Sequence, residues 1–143
     1  MEAGLIGKKF NQKWIVRVKK NEELVSALKS FCFEHEIRLG SVSGIGACNY
    51  AKIGLFDVGK KEYYSKEFSE NMEITSLTGN ITTKDNEIYI HLHINLSNQK
   101  FEVIGGHLDK ANISATCEII IDTIDGSLDR CFDQEIGINL LSL

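Results

Sequence analysis

Two rhythms of apolar spacing run along the chain. In "KWIVRVKK" (residues 13–20) apolar and charged side chains alternate, which predicts an early strand. "NEELVSALKSFCFEHE" (21–36) follows helical spacing instead, with Leu24, Val25, Leu28, Phe31 and Cys32 on one apolar face. Asn21 is the expected cap of this helix. Glu22 and Glu23 suit the positive end of its dipole, and His35 suits the negative end. After the helix the two-residue rhythm returns in "SVSGIGACNYAKIGLFDV" (41–58), "KEYYSKEF" (61–68), "MEITSLTGNITT" (72–83), "DNEIYIHLHINL" (85–96), "FEVIGG" (101–106) and "NISATCEIIIDTI" (112–124). One helix among many strands predicts an α+β fold with a largely antiparallel or mixed sheet and the helix covering one face. With no proline, no repeat and no linker-like stretch, residues 1–143 read as one domain.

The clearest strand also carries the most chemistry. Along Glu87 to Leu96, Ile88, Ile90, Leu92, Ile94 and Leu96 point one way and form a core face. Glu87, Tyr89, His91, His93 and Asn95 point the other way, so two imidazoles stand about 7 Å apart at the backbone. His107 follows a Gly105-Gly106 pair on the next predicted strand, and its facing depends on the hairpin between them. A three-residue loop pairing Leu96 with Lys100 sets His93 against Val103, His91 against Gly105 and His107 against Tyr89, on the histidine face. An even loop turns His107 to the apolar side, and a bulge at the glycines turns it back. The pattern leaves a metal site, a catalytic site and a solvated polar face all open. Neutral imidazoles are good zinc ligands, and three of them with one open position suit a catalytic or labile site.

Other candidate chemistry is sparse. Ser43, Ser76 and Ser97 lack the GxSxG context of an activated nucleophile. Glu73 and Glu118 lie inside predicted strands; the usual reading of such an acid is a solvent-facing position, and the alternatives are a general base or a partner that holds an imidazole tautomer. Gly44-x-Gly46 begins like a dinucleotide fingerprint, but Asn49 stands at the third glycine position and a helix precedes it, so close backbone packing is the better reading.

Composition narrows the function classes. The net charge is −4, from 20 acidic and 16 basic residues, and the lysines are scattered. This opposes tight duplex binding, which rests on neutralising phosphates with a basic stripe. Cys32, Cys48, Cys117 and Cys131 form no CxxC pair and read as buried free thiols of a reducing compartment. There is neither a long apolar run nor a signal-like N-terminus, so the expected address is the cytoplasm.

"HLHINL" (91–96), "GGHL" (105–108) and the distance between them resemble the plant and prokaryote conserved (PPC) domain. "SGIGA" (43–47), "EITSLTGNI" (73–81) and "TCEIII" (116–121) follow in the family's order, and the likeness covers nearly the whole chain after about residue 10. The resemblance implies a strongly bent sheet and a homotrimer. It also implies a metal-binding role for His91, His93 and His107, or a small-ligand site built on them, and the imidazole donors make zinc the expected ion. Plant members carry an AT-hook with a proline in its core. This chain has no proline and looks like the free-standing prokaryotic form, whose members often bear a DNA-binding label. "HLDKANI" places Lys110 or Ala111 where the family often has a glycine. DNA is therefore the alternative partner.

Overall fold

The structure, a computed structural model, describes residues 4–143. Among the described residues nine strands form: β1 (Leu5–Phe10), β2 (Lys13–Val18), β3 (Gly40–Asp57), β4 (Glu62–Phe68), β5 (Met72–Lys84), β6 (Glu87–Ser97), β7 (Val103–Thr123), β8 (Arg130–Asp133) and β9 (Ile138–Leu141); β1, β8 and β9 lie outside the stretches whose alternation predicts a strand. The helical rhythm becomes α1 (Leu24–Glu34). Among the described residues the fold is mostly antiparallel sheet with a single helix, more dominated by strands than a balanced α+β reading implies.

Seven strands form one sheet in the order β1-β2-β7-β6-β5-β3-β4, and a further β7–β3 pairing joins its two halves. Strands β3, β5, β6 and β7 therefore make a closed ring of pairings. Closure needs strong curvature, and the register shifts supply it. Strand β3 slips against β5 between Gly44 and Gly46, and against β7 at Gly46/Cys48, Cys48/Tyr50 and Lys52/Ile53. An extra residue on one strand bends it and increases local twist. At Gly46 a side chain would reach the Cys117 Cα at 2.7 Å, so the close packing expected of the glycine-rich stretch is present. Strands β8 and β9 form a separate ribbon that meets β5 through a bridge between Asp129 and Thr83.

The core lies inside this curved sheet and under the helix. Leu77, Leu92, Ile94, Leu96, Ile119 and Ile121 are buried, as are Leu24, Leu28, Phe31 and Cys32 of α1. Ile88 is buried too, and Ile90 packs partly buried against the same core. The apolar face read along β6 is thus the core face. Cys48 and Cys117 are also buried, whereas Cys131 is exposed.

The helix begins two residues later than its sequence suggests. Glu23 is the N-cap, and its carboxylate accepts from the backbone N–H of Val25 at 2.8 Å and of Ser26 at 3.0 Å. It also accepts from the Ala111 N–H on β7 at 3.1 Å, tying the helix start to the sheet. Asn21 is not the cap because it serves the turn before it, with φ of 72° and its N–H bonded to the Ile113 carbonyl at 2.8 Å. His35 closes the helix and stacks against Trp14 and Phe31, with ring centroids 4.5 and 4.3 Å away.

Candidate metal centre

The register between β6 and β7 decides where the histidines stand. The hairpin pairs Ser97 with Val103 and Leu96 with Ile104, so five residues, 98–102, form its turn. Asn98 organises that turn: its side chain accepts from the N–H groups of Lys100 and Glu102, and Phe101 takes the left-handed conformation with φ of 61°. Five is an odd number, as in the three-residue loop considered from the sequence, so facing is preserved while the register moves along. His107 pairs directly with His93 rather than with Tyr89. No register shift falls at Gly105-Gly106, so the bulge invoked there is not needed. These glycines instead permit close approach. A side chain at Gly106 would sit 2.7 Å from the Gly54 carbonyl oxygen on β3.

All three imidazoles meet on one face. Their ring centroids are 5.1 Å apart for His91 and His93, 5.3 Å for His91 and His107, and 5.7 Å for His93 and His107. One ring nitrogen from each lies within 4.8 Å of the others. His91 and His107 are half-buried, and His93 is exposed. The cluster faces a cavity of about 730 Å³ walled by Leu55, Phe56 and Tyr63 on one side and by Phe132 and Ile138 of the β8–β9 ribbon on another.

The electrostatics favour neutral rings. Burial pushes the His91 pKa down to about 4, helped by the Arg130 charge and by the two other imidazoles. Burial also lowers the His107 pKa and His93 adds to this, although Asp109 pulls the other way. Neutral imidazole is the form that can donate a lone pair to a metal.

Two residues at this site had not been singled out in the sequence. Asp109 lies two residues after His107 on β7, with Oδ1 4.0 Å from the His107 Nε2, and its Oδ2 accepts from the Tyr63 hydroxyl at 2.8 Å. That i, i+2 spacing on one strand was the available signal. Arg130 carried no such signal, because β8 is four residues long and remote in sequence. Its Nε donates to Thr82 Oγ1 at 2.9 Å, its Nη1 to the Asn139 carbonyl at 3.2 Å and its Nη2 to Asn80 Oδ1 at 2.8 Å. Nη2 also lies 3.4 Å from His91 Nδ1, and the guanidinium sits 4.7 Å from the centre of the Tyr89 ring. Conversely, Glu73 and Glu118 are exposed and do not line the histidine cavity. Glu73 pairs with Ala47 and Ser97, and Glu118 with Arg17 and Ile45, on other parts of the sheet.

A closed antiparallel sheet carries a capping helix and, on the face of β6 turned away from the core, a cluster of three histidines. The chain belongs to the Plants and Prokaryotes Conserved (PCC) domain family, whose sequence model matches residues 6–125. Among solved structures it is similar to a metal-containing protein from Archaeoglobus fulgidus, at 34% identity and a TM-score of 0.88 over 96% of this chain and 99% of that one. It is similar to a protein from Bacteroides thetaiotaomicron named as a candidate DNA-binding protein, at 33% identity and a TM-score of 0.95 over 97% of both chains. It also resembles the plant- and prokaryote-conserved protein of Pyrococcus horikoshii, at 28% identity and a TM-score of 0.85 over 100% of this chain and 97% of that one. No curated protein matches the chain.

Proposed function

We propose that this protein is a cytoplasmic homotrimer that holds one divalent ion, zinc, on His91, His93 and His107 and presents it to a small ligand in the adjoining cavity. The observation that carries this reading is the convergence of three ring nitrogens within 4.8 Å on one sheet face. Ligands at about 2.0–2.1 Å in a tetrahedral set lie about 3.4 Å apart, so small side-chain rotations close the gap. The donor chemistry fits, since burial favours the neutral rings of His91 and His107. A neutral imidazole has a single lone pair, so His91 can either accept from Arg130 or bind an ion. The metal-containing relative from Archaeoglobus supports the same reading.

Elemental analysis of protein purified without a histidine tag tests it. Wild type should carry one equivalent of metal per chain, and His91→Ala, His93→Ala and His107→Ala should each lose it. His93 is exposed, so its alanine variant should stay within about 0.5 kcal/mol of the metal-free wild type in stability. Unchanged metal content in all three variants would sink the assignment.

The trimer rests on the family resemblance and on apolar side chains left at the surface, among them Ile15, Ile45, Leu55, Val103 and Ile120. A monomer mass by light scattering at micromolar concentration would refute it. DNA binding is the second reading, favoured by the names given to the relatives from Bacteroides thetaiotaomicron and Ralstonia eutropha. The net charge of −4 opposes it. Duplex titrations at two salt concentrations should find weak, sequence-indifferent binding, and tight selective binding at physiological salt would reverse the ranking.

A further inference from the structure

Arg130 is only 8% exposed as a residue, yet its guanidinium meets a hydroxyl, a carbonyl, an amide oxygen, an imidazole and the Tyr89 ring, none of them anionic. Among the described residues no carboxylate lies within the 4.0 Å of an ion pair with it. Arginine does not deprotonate in a protein, so this buried charge persists at every accessible pH. Buried charges are ordinarily paired, because neutral dipoles and an aromatic face offset only part of the lost hydration. Arg130 lines the same cavity as the three histidines, and the residues lining that cavity include no aspartate or glutamate. Among the described residues Arg130 thus has no acidic partner in the cavity wall; the Asp109 carboxylate lies behind it, accepting from the Tyr63 hydroxyl and 4.0 Å from the His107 Nε2.

We infer that the cavity binds a small organic monocarboxylate with an apolar body, its carboxylate against Arg130 and its body against Phe56, Tyr63 and Phe132. The inference deepens the metal reading, on which it rests for a second attraction. Three neutral imidazoles bring no negative charge to a divalent ion, so a filled site makes the cavity more positive still. Ligation by His91 also releases the Arg130 Nη2 donor that now faces its Nδ1. A carboxylate fits better than a phosphate dianion. Nε, Nη1 and Nη2 are each committed to a protein oxygen, so the guanidinium offers a charge and few free N–H groups rather than an open fork. The aromatic walls suit the remainder of a flat or aliphatic acid.

Isothermal titration of the wild type with sodium benzoate and with benzamide, before and after zinc loading, tests this. The two probes share a shape and differ in charge. Benzoate should bind saturably at millimolar concentration or below, and benzamide at least about tenfold more weakly, as the loss of a charge-assisted hydrogen bond implies. Arg130→Gln should lower benzoate affinity by about tenfold or more, and Arg130→Lys should lower it less. Equal affinity for the two probes, or no benzoate binding, would overturn the inference. The comparison in wild type decides this even if the Arg130 variants do not fold. Zinc content measured on the same samples separates the two claims. Benzoate selectivity in protein that takes up no zinc would sink the metal reading and leave the carboxylate site standing. Zinc uptake without selectivity would do the reverse.

Discussion

Zinc binding should resist acid better than three ordinary histidines allow. Each imidazole below its pKa must shed a proton to bind a metal, which lowers affinity about tenfold per pH unit, starting from the ordinary value of about 6.5. Three such rings would lose about a thousandfold in affinity per pH unit below about 6. His91 is held at about 4, so at pH 5.5 it is about 97% neutral and has almost no proton to lose. His107 is shifted in the same direction. The fall between pH 6 and 5 should therefore stay below about a hundredfold, the two-proton limit. Competition against a chromophoric zinc chelator, corrected for the chelator's own protonation, measures this, with circular dichroism to show that the fold persists. A three-proton slope in that window would refute the burial argument for His91. The stability of the metal-free protein carries a matching sign. The unfolded chain takes up the His91 proton first, so the fold weakens as pH drops from about 6.5 to 4 and is indifferent to this group above about 7. The loss is on the order of 1–3 kcal/mol, after a discount for the solvent that reaches this half-buried ring.

Two further substitutions probe the frame that holds the site. Glu23→Ala removes an acceptor from three backbone N–H groups, two on α1 and one on β7, and should cost about 1–3 kcal/mol in urea unfolding; a change under about 0.5 kcal/mol would show that water replaces the cap. Gly79→Ala puts a methyl group against the His91 carbonyl and 2.9 Å from the Leu92 Cα, backbone atoms that cannot rotate away, so β5 and β6 must part and stability should fall by about 1–3 kcal/mol. Zinc affinity should fall with it because His91 moves, and a variant with wild-type stability and zinc affinity would show that the two strands do not lie so close.

Much of this arrangement was legible in side-chain alternation. The core face of β6 and the apolar face of α1 follow directly from period and residue type. Alternation also places His91 and His93 side by side, because both lie on one strand. It does not place His107, whose position depends on how many residues the turn consumes. Asn98 fixes that number at five by gathering two backbone N–H groups, a local choice that the periodicity of the flanking strands does not encode. The cap moved from Asn21 to Glu23 for a tertiary reason, since Glu23 also serves an N–H on β7. Arg130 was out of reach for the same kind of reason. Its environment is assembled from Asn80, Thr82, His91 and Asn139, which lie on three other strands.

The closed ring of pairings also bears on the order in which the chain assembles. His93 and His107 face each other across a five-residue turn, so the hairpin that brings them together needs little loop closure. The seam between β3 and β7 instead joins Gly40 to Thr123, with most of the chain lying between them. Hairpins form in about 1–10 μs, whereas folds dominated by such distant pairings take milliseconds to seconds. Two of the three histidines can therefore be opposed long before the β3–β7 seam closes. Zinc present during refolding should then speed folding through the β6–β7 hairpin, whereas the Arg130 charge reaches His91 only when the β8–β9 ribbon docks.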